Sequence, residues 1–306
     1  MIKTSFTMKV RFILLSCAAD LLASIRVTEK DRVLSKNEFV IPCSDFFGCS
    51  KDNVEEYSSD GKAVFLRCRS CGLIWKDTNA SQKDKAYDDE YFSGHRYDKK
   101  LARKLRKADL FMEIAEQYQS PGRFLEIGCS LGYSVMAANR RGWKGKGTDI
   151  SEFAVKECCE QGLDAEVVSI EELIQRDTRY NAILMKHVLE HFENPHVVLK
   201  QCKELLAENG VLIIYVPNSE LGRAKRKREK HKFYKYSRNG SEHYVYFNYH
   251  NLTRLLEELG YEIKVQNYPI AIKNGSSLGM MGQRLFRRFL SLLKSDQELF
   301  VIAQKK

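Results

Sequence analysis

The stretch Phe124-Leu125-Glu126-Ile127-Gly128-Cys129-Ser130-Leu131-Gly132 constrains this chain more than any other, together with the carboxylate of Asp149 downstream. An apolar run ending in an acidic residue, then small residues at alternate positions and a helix-compatible sequence from Tyr133, predicts a strand that turns tightly into a helix. Glycines let the backbone approach a ligand closely, and the unpaired N–H groups of the following helix point at it. Lys144-Gly145-Lys146-Gly147-Thr148-Asp149 predicts the next strand, with Asp149 at its end. A carboxylate at that place accepts hydrogen bonds from both hydroxyls of a ribose. The pattern points to an adenosine derivative.

What the loop lacks narrows the choice. Counting from Gly128, the second and third glycine positions of a dinucleotide fingerprint hold Ser130 and Tyr133. The chain has no G-x-x-x-x-G-K-[ST] phosphate loop. Glu126, two positions before the first glycine, opposes a pyrophosphate but suits a ligand that carries an ammonium and a sulfonium. That description fits S-adenosylmethionine. Gly128-Cys129-Ser130-Leu131-Gly132 also spells the G-x-S-x-G nucleophile elbow of the α/β-hydrolases. No oxyanion loop of the HGGG kind precedes Phe124, and a hydrolase leaves Glu126 and Asp149 unexplained.

With these residues in view, the chain resembles the class I S-adenosylmethionine-dependent methyltransferases. Leu125 to Gly132 looks like their first motif and Gly147-Thr148-Asp149-Ile150-Ser151 like their second. Lys186-His187-Val188-Leu189-Glu190-His191-Phe192, followed by Pro195, is similar to the HVLEH segment of one broad subgroup. Gly210 to Asn218 matches the fifth strand, and Glu242-His243-Tyr244-Val245-Tyr246-Phe247 the later EH-aromatic motif. Ser130 stands where the family usually has glycine, and Ser169 where an aspartate often meets the adenine. The resemblance implies donor contacts from Glu126, Gly128, Cys129, Ser130, Gly132, Asp149, Ile150, Ser169, Ile170 and His187.

Strand and helix signals alternate from Phe124 to Val216, which specifies a Rossmann-like, doubly wound, mainly parallel sheet with helices on both faces. Tyr261 to Val265 and Leu299 to Ala303 complete seven strands as a terminal hairpin. Ligands then sit at the carboxyl ends of the strands, where Glu126, Asp149, Ser169 and His187 fall. A helix is expected from Lys99 to Gln119, with Leu101, Leu105, Leu110 and Ile114 near helical spacing. The organisation read from these signals is an extension over 1–36, a cysteine-bearing module over 37–78, a helical linker over 79–120 and the catalytic domain over 121–306.

Cys68-Arg69-Ser70-Cys71-Gly72 is a C-x-x-C-G knuckle, whose spacing turns two thiolates toward one tetrahedral ion. Cys43 and Cys49 offer a second pair, separated by five residues instead of the usual two to four. Similar methyltransferases begin with such a zinc ribbon, ending in a phrase like Cys71-Gly72-Leu73-Ile74-Trp75 and then an aromatic tract such as Tyr87 to Phe92. The resemblance implies structural zinc on Cys43, Cys49, Cys68 and Cys71.

The nine cysteines are odd in number and scattered through an enzyme-like core, which argues for a reducing compartment. Met8 to Ala19 has the charged and apolar parts of an export signal but is too short to span a bilayer as a helix. A cytoplasmic location is expected, because the methyl donor is made in the cytosol.

Methyl transfer from a sulfonium needs alignment above all, and a base when the acceptor is a hydroxyl. His187 and His191, on the loop after the fourth strand with Glu190 between them, are the candidate catalytic residues. His243 either closes over the acceptor or is a buried polar residue between the fifth strand and the following helix. The net charge of +10 owes much to 223–238, where nine cationic side chains interleave with Phe233, Tyr234 and Tyr236. Such a loop holds phosphates of a carrier-linked sugar or a nucleic acid, or is simply solvated. Residues 280–294 form a basic amphipathic tract that suits either a cap on the domain or peripheral contact with a membrane. The reading that follows is methyl transfer to a small or carrier-linked metabolite, such as a sugar hydroxyl. RNA modification through 223–238 and donor binding without catalysis are the alternatives.

Overall fold

In the computed structural model the described residues are 42–59, 64–77, 101–219, 243–266 and 298–306. The extension over 1–36, the aromatic tract Tyr87 to Phe92, the basic loop 223–238 and the amphipathic tract 280–294 lie outside them. Ile41–Lys306 falls into one compact unit.

The chain opens this unit with a one-turn helix, α1 (Ser44–Phe47), then strands β1 (Val54–Ser59), β2 (Val64–Cys68) and β3 (Ile74–Asp77). These pair antiparallel in sequence order, and β9 (Val245–Tyr246) adds a fourth strand beside β3. The Cys68–Leu73 turn between β2 and β3 is closed by the Gly72 N–H on the Cys68 carbonyl and the Cys68 N–H on the Leu73 carbonyl, each at 2.9 Å. The cysteine-bearing segment thus completes its sheet with residues from far along the chain.

Helix α2 (Leu101–Ala115) precedes the main sheet. Then follow β4 (Arg123–Ile127), α3 (Tyr133–Arg140), β5 (Lys144–Thr148), α4 (Glu152–Glu160), β6 (Asp164–Glu166), α5 (Ile170–Gln175), β7 (Tyr180–Lys186), α6 (Pro195–Leu205) and β8 (Leu206–Pro217). After β9 come α7 (Tyr249–Glu258), β10 (Tyr261–Gln266) and β11 (Glu298–Lys305). The seven strands lie in the order β10-β11-β8-β7-β4-β5-β6. Six run in one direction, and β11 runs antiparallel between β8 and β10, as the expected terminal hairpin requires. The winding reverses between β4 and β7, where an open α/β sheet leaves a crevice beyond its strand tips. β7 and β8 are near-continuous apolar runs because both faces of these central strands are covered.

The core corrects one detail of the sequence reading. Helix α2 buries Ala108, Phe111, Met112 and Ala115, an i, i+3, i+4, i+7 stripe, together with Ile114. Of the residues read at helical spacing, Ile114 is buried and Leu110 packs against the core, while Leu101 is 42% exposed. Phe111 stands edge-on to Tyr215 at 5.3 Å and stacks on Phe300 at 5.8 Å, tying the helix to β8 and β11. The segment read as a linker therefore supplies a core helix. Phe111 has no exposed surface. Phe111→Ala is expected to cost about 3–5 kcal/mol of stability by lost transfer energy and an unfilled cavity. Chemical denaturation measures this, and a loss below about 1 kcal/mol contradicts the packing described.

Candidate active site

The loop between β4 and α3 is shaped by three left-handed residues at alternate positions: Gly128 (φ 69°), Ser130 (φ 50°) and Gly132 (φ 72°). A Cβ on Gly128 would lie 2.3 Å from Cγ2 of Val188, so only glycine lets the segment after β7 pack down on this loop. Ser130 carries a side chain in a conformation that costs an L-residue roughly 1–2 kcal/mol. It is held there by Asp149, whose Oδ2 accepts the Ser130 N–H at 2.7 Å while Oδ1 accepts the Ser151 N–H at 3.0 Å. Ile150, beside this carboxylate, is 78% exposed and presents an apolar face at the strand tip. Cys129 turns inward: its side chain is buried, and a hydrogen bond with Cys158 together with burial drives its thiol well above the ordinary range. Only its backbone belongs to the loop surface.

Glu126 sits lower than its place in the motif suggests. It has no exposed surface, and its Oε1 accepts from Ser134 Oγ at 2.8 Å and from Lys186 Nζ at 3.0 Å, while Oε2 is buried without a hydrogen-bond partner. Lys186 Nζ also reaches Ser134 Oγ at 3.3 Å. A buried carboxylate needs such a partner, and Lys186, still part-exposed at the tip of β7, supplies it. The sequence reading missed Lys186, whose signal is a charge closing the otherwise apolar run Ala182 to Met185. Ser169 and Ile170 are also otherwise engaged. Ser169 caps α5: its hydroxyl accepts the Glu172 N–H at 3.2 Å, and its own N–H donates to the Glu172 carboxylate at 2.9 Å. Ile170 is buried.

Beyond β7 the chain makes a 3-10 turn, Leu189–His191, entered through His187 in a left-handed conformation (φ 55°). The His187 N–H donates to the Tyr215 carbonyl at 2.8 Å, and its ring stands edge-on to Tyr215 at 5.0 Å. Strain of this kind in a non-glycine residue concentrates at functional sites. Nδ1 of His187 is 3.4 Å from Glu190 Oε1 and 3.9 Å from Glu298 Oε2. The rings of His191 and His243 meet edge-on at 4.7 Å, and His243 Nε2 lies 3.9 Å from Glu190 Oε1. Burial holds His243 down at about 4, so its imidazole is neutral at ordinary pH. Burial likewise pushes the Glu298 carboxyl above the usual range. Three imidazoles and two carboxylates therefore form one cluster at the carboxyl end of the sheet. Nothing in the sequence marks Glu298: it arrives because β11 inserts beside β8.

Cys43, Cys49, Cys68 and Cys71 also converge, with their sulfurs all within 4.8 Å of one another. Around tetrahedral zinc, with Zn–S near 2.3 Å, sulfurs lie about 3.8 Å apart, a spacing compatible with the bound on this quartet. The wide Cys43/Cys49 spacing works because α1 makes one turn and Gly48, left-handed at φ 61°, sends Cys49 back toward Cys43. The thiols compete for protons: the hydrogen bond with Cys43 draws Cys71 down to about 6, while burial pushes Cys49 up to about 12. The ribbon also braces the imidazole cluster. The Lys76 N–H donates to the Tyr244 carbonyl, and the Tyr244 N–H donates to the Glu190 carbonyl, both at 2.8 Å.

Comparison with known proteins agrees with this architecture. A family model described as a methyltransferase domain matches residues 96–266. An uncharacterized protein of Methanocaldococcus jannaschii is 28% identical over 154 residues, covering 49% of this chain and 70% of that protein. A ubiquinone biosynthesis O-methyltransferase of Histophilus somni is 30% identical over 107 residues, covering 31% of this chain. One from Maricaulis maris is 33% identical over 98 residues, covering 30%. The chain spans 45% and 39% of the lengths of those two enzymes. A crystal structure of a SAM-dependent methyltransferase from Archaeoglobus fulgidus shares the fold, at 21% identity and TM-score 0.51, over 71% of this chain and 100% of that one. No helix among the described residues is long and apolar enough to cross a membrane. With the family model spanning more than half of its length, the chain belongs to the methyltransferase-domain family, and its core sheet is the Rossmann-like sheet of the S-adenosylmethionine-dependent methyltransferases.

Proposed function

We propose that the protein transfers the methyl group of S-adenosylmethionine to a hydroxyl oxygen of a small or carrier-linked metabolite. The observation that carries this reading is the gathering of His187, Glu190, His191, His243 and Glu298 around the turn after β7, whose Val188 is seated on Gly128 of the glycine loop. An activated sulfonium needs no help to leave, whereas a hydroxyl nucleophile must lose a proton, and imidazoles and carboxylates are the groups that take one. The curated relatives from Histophilus somni and Maricaulis maris, named as O-methyltransferases, support the same acceptor atom. A sugar hydroxyl is one member of this class.

In this reading the Asp149 carboxylate accepts the ribose hydroxyls with the lone pairs left free by Ser130 and Ser151. The exposed side chain of Ile150 packs on the adenine, and the Gly128, Cys129, Ser130 and Gly132 backbone lies along the donor. The methionine end carries both charges: Lys186 meets its carboxylate, and Glu126 sets the height of Lys186 and answers the ammonium. Ser169 and Ile170 shape the adenine wall through the capping turn of α5. The acceptor oxygen attacks the methyl carbon in line, the carbon–sulfur bond breaks with its electron pair left on sulfur, and the hydroxyl proton passes to His187 or His191. The ribbon holds zinc on Cys43, Cys49, Cys68 and Cys71, which rigidifies β3 and, through Tyr244, the backbone of Glu190.

Three measurements test this reading. Asp149→Ala is expected to weaken S-adenosylhomocysteine binding at least tenfold in calorimetry, since hydrogen bonds to a charged group contribute about 1.5–3 kcal/mol each; unchanged affinity contradicts the ribose assignment. Incubation of metabolite fractions with donor labelled in the methyl group is expected to deposit base-stable label on a hydroxyl-bearing acceptor. Label confined to amines, carboxyl esters or RNA contradicts the O-methyl reading. Elemental analysis of Cys68→Ser is expected to find its zinc largely lost, with a lowered melting temperature, and full zinc occupancy in that variant removes Cys68 from the ligand set.

A further inference from the structure

Glu190 is 1% exposed, and neither of its carboxylate oxygens accepts a hydrogen bond. A carboxylate taken out of water without a partner is heavily penalised, and proteins resolve this with a proton or a cation. The nearest ring nitrogens, His187 Nδ1 at 3.4 Å and His243 Nε2 at 3.9 Å, stand off from Oε1 beyond good hydrogen-bond range. Ligands bound at about 2.0–2.2 Å in a tetrahedral array lie about 3.3–3.6 Å from one another, so the 3.9 Å between His243 and Glu190 is a few tenths of an ångström wider than a shared ion requires. One oxygen of Glu190 and one nitrogen each of His191 and His243 all fall within 4.8 Å of one another. From this geometry we infer that Glu190, His191 and His243 form a binding site for a divalent transition-metal cation, separate from the cysteine quartet.

The fold builds the site from two directions. The 3-10 turn after β7 carries Glu190 and His191 on successive residues, and the approach to β9 carries His243. The Tyr244 N–H on the Glu190 carbonyl, at 2.8 Å, fixes one against the other, so the spacing does not depend on side-chain packing alone. Two imidazoles and one carboxylate suit Zn2+, Fe2+ or Mn2+ better than Mg2+ or Ca2+, which favour oxygen ligands throughout. Three protein ligands leave coordination positions open on the cation. An acceptor hydroxyl occupying one of them would be oriented and made more acidic. This last role rests on the O-methyl transfer proposed above; the binding site does not. With His191 and His243 turned to the cation, His187 is the imidazole of the three left facing the acceptor.

The test is titration of the purified, zinc-replete full chain with Mn2+, followed by calorimetry and by the paramagnetic resonance signal of free Mn2+. Mn2+ is chosen because the soft thiolates of the cysteine quartet select zinc over it. The wild type is expected to show saturable Mn2+ binding. Loss of a supporting residue around a metal ligand already costs 10–100-fold in affinity, so Glu190→Gln and His243→Gln, which remove ligands, are expected to weaken binding by about 100-fold or more. Retained S-adenosylhomocysteine binding certifies that each variant is folded, and the wild-type titration decides the matter if a variant is not. Absence of saturable binding in the wild type overturns the proposal, as does wild-type affinity in both folded variants. Saturable Mn2+ binding alongside label that never reaches a hydroxyl upholds the site and removes the acceptor reading. Label reaching a hydroxyl in a protein that binds no Mn2+ does the reverse.

Discussion

The clamp that Asp149 makes across two strand tips governs the rest of this molecule. One carboxylate oxygen holds the Ser130 N–H of the loop after β4, and the other holds the Ser151 N–H that opens α4. Each is a charge-assisted bond, roughly twice as strong as its neutral counterpart. Together they offset the left-handed strain at Ser130 and fix the path of the loop between Gly128 and Gly132. That path in turn decides where α3 starts, and how closely Val188 and the imidazole cluster behind it approach the loop. A single acidic side chain thus couples the end of the crevice proposed to hold the nucleoside to the end where chemistry is proposed.

The second constraint is electrostatic. Four ionisable side chains lie under or beside the crevice with much of their hydration removed: Glu126, Glu190, His243 and Glu298. Among the described residues, Glu126 alone of the four has a lysine or arginine salt-bridge partner, Lys186. Buried carboxylates that lack close partners are costly, and their persistence at one place indicates a site completed by something else, whether donor, acceptor or cation. The ribbon belongs to the same account. Its β3 strand reaches Glu190 through two backbone hydrogen bonds by way of Tyr244, so the N-terminal cysteine module and the proposed chemistry are mechanically connected.

Much of the fold is legible in the sequence because its signals are local. Short apolar runs bounded by turn residues read as strands, and the alternation from Phe124 to Val216 reads as a parallel sheet; both match the observed elements to within a few residues. The glycine loop and Asp149 are equally plain, since their chemistry is carried by residues close in sequence. What escapes is long-range. Periodicity says that β9 is extended but not that it joins β3, and no local cue brings Glu298 to His187 or Lys186 to Glu126. The buried stripe of α2 is only partly marked, by Leu110 and Ile114, because leucine outweighs alanine and phenylalanine in a simple pattern, whereas the helix also turns Ala108 and Phe111 to a sheet that demands close approach. The cysteine quartet is marked by its knuckle, but the five-residue gap makes sense only once α1 and Gly48 are seen to fold it back.

The account stands or falls on the nucleoside pocket, and a crystal structure of the protein with S-adenosylhomocysteine examines it most directly. The expected result is both ribose hydroxyls within about 2.5–2.7 Å of the Asp149 carboxylate while that carboxylate keeps its bonds to Ser130 and Ser151, with the adenine on Ile150 and the amino-acid carboxylate at Lys186. A nucleoside bound away from this loop, or an Asp149 rotated off the ribose, contradicts it.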